Sequence, residues 1–203
     1  MLPLALTTLT LVLTDVQALP LDSRLLRGAT ESALAGSGVR LHWDAAPAGP
    51  GLKAAPERVC VILLDAHPRR TGSERVLGAV FRERGPTSAI WIYVGELRRL
   101  LESPRAGPRA PAVDDLSVAV GRVLAHEVAH LLAPEHPHAA DGLMAQVVSR
   151  KTLGKDAPPL DDACIGAIRL AIAASSAPPA LAGLPSRGLP GVGSSEAGVG
   201  ASH

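Results

Sequence analysis

The amino-acid sequence predicts an α+β domain, and three observations carry that prediction. A helical stripe stands between two strand-like runs near the amino terminus, two more strand-like segments flank the turn "RERGPT" at 82–87, and two apolar helices follow. With 203 residues and 47% apolar composition, the chain can bury one full-sized core. The expected division is therefore one domain over 1–174 and a tail over 175–203.

The first segment, "MLPLALTTLTLVLTDVQALP", supports two readings that exclude each other. Its apolar run and the small residue Ala18 suit a secretory leader over 1–18, which would make the protein secreted or periplasmic. The run lacks a preceding Lys or Arg, however, and "LTTLTLVLTD" is rich in Leu, Thr and Val, which favours a core strand over 4–14. Residues 21–34 then repeat apolar side chains at Leu21, Leu25, Leu26, Ala29, Ala33 and Leu34, a helical stripe that ends at Gly36 and Gly38. "VRLHW" alternates as a strand, and the Pro/Gly-rich stretch to residue 57 is a loop. "RVCVILLD" is a continuous apolar run of buried-strand length.

"GAVF" and "SAIWIYVGEL" read as two more strands, with "ELRRLLE" adding a helical turn before a second Pro-rich loop. The segment 113–132 is a long helix with Leu116, Val120, Val123 and Leu124 inward and Asp114 or Asp115 as cap. Pro134 ends it, because a proline disfavours helical geometry at the preceding residue. A last helix over 159–174 takes its cap from Asp161 or Asp162. From Ser175 the Gly/Pro/Ser/Ala composition predicts disorder.

Composition excludes several functions. Twenty basic and nineteen acidic residues leave a formal charge of +1 without a basic stripe, and four aromatics make no base-stacking platform, so no nucleic-acid partner is expected. No apolar run reaches the roughly 18 residues of an uninterrupted membrane span. Cys60 and Cys164 lack CxxC spacing; they read as two buried thiols, with one disulfide as the alternative.

The chemistry concentrates in "HEVAHLLAPEHPHAADGLM" at 126–144. His126 and His130 are four residues apart, so on a helix both imidazoles lie on one face and can approach one metal ion. Glu127 stands about 100° round the helix, too far to chelate with them easily but able to reach a water on that metal. Two fixed ligands and a general base are what a zinc hydrolase needs.

HEVAH, a further histidine and Gly142-Leu143-Met144 together resemble the metzincin clan of zinc metallopeptidases, particularly its small bacterial matrixin-like members. The resemblance covers residues 4–174. It implies a zincin fold with a twisted mixed β-sheet, an active-site helix, a Met-turn and a carboxyl-terminal helix. It also implies a Zn2+ cofactor, a peptide or protein substrate and Met144 as an apolar floor beneath the metal.

The pattern departs from the clan in two places. Ala133 stands where the clan has a glycine that turns the chain towards the third ligand, and Pro134 favours an extended Ala133. That favours His138, whose longer spacing needs no left-handed glycine and joins directly to "AADGLM", over His136 at the standard spacing; Asp141 is a third alternative. Some clan members also carry a tyrosine after the Met-turn, whereas the single tyrosine here is Tyr93, on the strand before the active helix.

The implied reaction is hydrolysis of a peptide bond by a zinc-activated water with Glu127 as general base, the substrate lying extended along an edge strand between 76 and 97. A zinc-stapled binding module without peptidase activity is the alternative, and a fourth position closed by His136 together with His138 would mark it. A monomer is expected.

Overall fold

A computed structural model describes residues 7–15, 17–45, 58–65, 76–82, 88–102 and 111–176. The architecture is α+β. Five strands, β1 (Thr7–Asp15), β2 (Val39–Ala45), β3 (Arg58–Leu64), β4 (Gly78–Arg82) and β5 (Ser88–Tyr93), form one mixed sheet in the order β2-β1-β3-β5-β4. The first three pairings are parallel, with Leu11 opposite both Trp43 and Val59, and Val61 opposite Ile90. β4 alone runs antiparallel, with Gly78 opposite Ile92 and Arg82 opposite Ser88. The amino-terminal segment is thus a strand with neighbours on both sides.

Parallel strands need crossovers, and helix α1 (Ser23–Ala33) supplies the first, between β1 and β2. Asp22 caps it by accepting from the amides of Arg24 and Leu25, satisfying donors that the first turn leaves open. One face of the sheet buries Leu9, Leu11, Val61, Ile90 and Ile92 in the same core as Leu26 of α1. The long helix α3 (Val113–Leu132) adds Val120, Leu124 and Val128 to that core. Two polar contacts lock α1 on α3: the Asp22 amide donates to Ser117 Oγ at 2.8 Å, and Thr30 Oγ1 donates to the Gly121 carbonyl at 3.0 Å.

Several expected boundaries shift. Residues 94–97 do not continue β5; Val94 begins α2 (Val94–Leu101), because Val94, Leu97 and Leu101 fall at helical spacing and all three are buried. Neither Asp114 nor Asp115 caps α3. Ala112 holds that position without a side-chain bond, and both acids lie in the first turn, where they oppose the positive end of the helix dipole. β3 alternates between buried and half-buried residues, so the described residues cover only one of its faces fully.

The short helix α4 (Arg150–Leu153), held by a Ser149–Thr152 capping box, was not expected from sequence. The last helix, α5 (Asp162–Ser176), starts as Asp161 accepts from the Cys164 amide at 2.7 Å. The expected tail lies outside the described residues apart from Ser175 and Ser176, which finish α5, and both Pro-rich loops lie almost wholly outside them. No helix among the described residues is long and apolar enough to cross a membrane. Both cysteines are free thiols, Cys164 buried and Cys60 half-buried.

Candidate metal centre

The last two turns of α3 carry His126, Glu127 and His130 on a helix that is buried almost all round. His126 Nε2 and His130 Nε2 are 3.0 Å apart, and His130 Nε2 lies 3.1 Å from His138 Nε2. Among the described residues, these three form the group whose ligand atoms come together, all within 4.8 Å of one another. Nitrogens held at 2.0–2.1 Å on a tetrahedral zinc would stand about 3.3 Å apart, close to the spacing seen. The donor set could therefore hold a metal ion.

The tautomer needed for ligation is set by a backbone group. His126 Nδ1 lies 2.7 Å from the Leu143 carbonyl, which can only accept, so the proton sits on Nδ1 and the Nε2 lone pair faces the other two rings. Leu143 belongs to a closed loop. The Ala139 amide donates to the Met144 carbonyl at 2.9 Å, and Gly142 takes φ 77°, a left-handed value that glycine adopts without strain. His138 directly precedes that closure, which explains its presentation to α3. Met144 is buried beside Leu143 in the core.

His136 is drawn elsewhere. Ala133, at φ −128°, ends α3, and its carbonyl accepts from the His136 amide at 3.0 Å, so the chain turns here without any left-handed residue. Its half-buried side chain stays outside the trio, as does exposed Asp141.

Burial sets the electrostatics. It pushes His130 down to about 4, helped by the nearby charges of His126, His138 and His136 when those are protonated. Burial also lowers His126, against the opposing pull of the Leu143 carbonyl. Glu127 goes up to about 7, again through burial. Tyr93, at the end of β5, is raised by burial and by the negative charge of Glu127.

Two contributors escaped the sequence reading. Arg82 of β4 donates to the carbonyls of His130 and Leu131 at 3.0 and 2.7 Å, and Arg122 donates to those of Thr152, Ala157 and Pro158. The first ties the edge strand to the histidine-bearing end of α3. The second ties the chain after the Gly142 loop to the same helix about two turns earlier. Neither has a local sequence signature, since both reach carbonyls far away in the chain.

No family model and no curated protein matches the chain. Among solved structures it is similar to one described as the GM1 bound form of the ECX AB5 holotoxin, at 13% identity and a TM-score of 0.44, covering 81% of this chain and 80% of that one. Similarity at that level does not establish a shared fold.

Proposed function

We propose that the protein is a zinc metalloendopeptidase of metzincin type, and that its fold is a metzincin-like variant of the zincin architecture. The observation that carries this reading is the convergence of three imidazole nitrogens, from His126 and His130 of α3 and from His138 beyond it, with a buried acid, Glu127, on the same helix. The closed loop before Met144 and the antiparallel edge strand beside α3 support it.

His126, His130 and His138 would hold the ion through Nε2. Zinc, when bound, supplies a Lewis acid that polarises a carbonyl and brings the pKa of a water to about 7. Glu127 is the group that moves the proton. Its carboxylate would take one from the attacking water and return it to the leaving amine. The substrate backbone would pair with β4, the edge strand of the sheet among the described residues, whose amides would face the developing oxyanion.

Among the described residues the group has three histidines and His136 lies outside it, which supports a site open to water and substrate rather than a closed structural one. The test uses the full chain without a histidine tag. One zinc per chain, peptide hydrolysis, and loss of hydrolysis by about 1000-fold or more in Glu127→Gln with zinc retained are expected. Zinc binding with equal activity in the two proteins would remove Glu127 as the base; zinc with no hydrolysis in either would leave the binding module.

A further inference from the structure

We propose that Gly78 and Arg82, both on the α3 side of the edge strand, are positioning residues for Glu127. The inference rests on the reading of Glu127 as the general base. Along β4, residues 78, 80 and 82 point to one face, and Val80 packs against the core that α3 helps to form. Gly78 meets Glu127 itself. A methyl group at Gly78 would lie 2.6 Å from Glu127 Oε1, 2.8 Å from its Cγ and 2.9 Å from its Cδ.

The missing side chain of Gly78 is therefore the space in which the carboxylate stands. That space keeps its place because the other end of the strand is fastened. Arg82 reaches the His130 and Leu131 carbonyls, where the negative end of the helix dipole favours a guanidinium. One end of β4 thus shapes the position of the base, and the other holds the strand at a set distance from the ligand His130.

A methyl at Gly78 meets side-chain atoms of Glu127 rather than backbone, so Gly78→Ala can fold only by displacing Glu127. In the zinc-loaded full chain, Gly78→Ala should keep one zinc, lower kcat about 100-fold and leave KM nearly unchanged, because a misplacement of about 1 Å costs that much. A readout independent of turnover is the affinity for acetohydroxamate, a zinc chelator whose hydroxyl needs an acceptor at the base position. Calorimetry should find it about tenfold weaker in Gly78→Ala.

In a Glu127→Ala background, where the overlap is gone, Gly78→Ala should have no further effect on that affinity; a structural defect elsewhere would persist there. The double variant also folds if the single one does not. Arg82→Met should raise amide hydrogen exchange across 78–82 about tenfold with zinc retained, and Arg82→Lys, which keeps a donor, should recover part of the protection.

An unchanged acetohydroxamate affinity in Gly78→Ala, or an equal loss in both backgrounds, overturns the role of Gly78. Unchanged exchange in Arg82→Met overturns that of Arg82. If Glu127→Ala itself binds acetohydroxamate as tightly as the native protein, or the chain binds no zinc, the peptidase reading fails first and the positioning role with it.

Discussion

Replacing Glu127 by Gln should stabilise the metal-free protein above neutral pH. Burial raises this carboxyl from its ordinary 4.5 to about 7. Between those values the unfolded chain ionises freely while the folded chain keeps its proton, so stability falls as pH rises and the loss is complete above about 7. At about 1.4 kcal/mol per pH unit, the stored cost reaches about 3 kcal/mol at pH 8 and stays below about 1 kcal/mol at pH 5. Gln keeps the shape without the charge.

Urea denaturation in EDTA at both pH values is the assay, since ionisations common to the two proteins cancel in the difference. The variant should gain about 3 kcal/mol at pH 8, equivalent to roughly 6–12 °C in Tm for a chain of this size, and much less at pH 5. A gain equal at the two pH values, or none at pH 8, would refute the argument that burial sets the acidity of this group. On the proposed reading of Glu127 as the base, this is a trade between stability and function: without a cation beside it, the carboxylate stands where its charge is unwelcome.

The remaining predictions concern separate parts of the molecule. His138→Ala should weaken zinc binding by several orders of magnitude and His136→Ala by about tenfold or less, read by competition with a chromogenic chelator; the reverse order would return the third ligand to the standard spacing. Cys164, buried and with its thiol pushed up to about 11 by burial and the charge of Asp161, should resist Ellman's reagent in the native protein. Its reaction as fast as in urea would refute that. Deleting residues 1–18 removes β1 from between β2 and β3 and should abolish soluble expression; a soluble, zinc-binding product would show that the sheet closes without it.

What was legible in the sequence follows its local order. The long helix over 113–132 announced itself through period and through Pro134, and with it came the shared face of His126 and His130. The preference for His138 came from chain geometry at Ala133, and the structure does bring His138 to the trio. It does so by a turn that needs no glycine and that carries His136 away. Where helix and strand share apolar residues, as at 94–97, pattern alone misjudged the boundary. The contacts that arrange the site, from Leu143 to His126, Arg82 to His130 and Gly78 to Glu127, join residues 17 to 49 positions apart, and no local rule reports them.

The three converging donors are all imidazole nitrogens, and that has a consequence for which ions the site could hold. Imidazole sets bind poorly to magnesium and calcium, which demand oxygen, so the abundant hard cations are no competitors here. Among the softer divalent ions, intrinsic affinity rises from manganese to copper and drops again at zinc, so a three-histidine site left to equilibrium selects copper first. The spacing of His126, His130 and His138, close to that around a tetrahedral ion, works against copper(II), which prefers a tetragonal arrangement. An ion held there would be chosen by geometry and supply together, and metal analysis of the chain produced at different free-metal levels would read the balance between them.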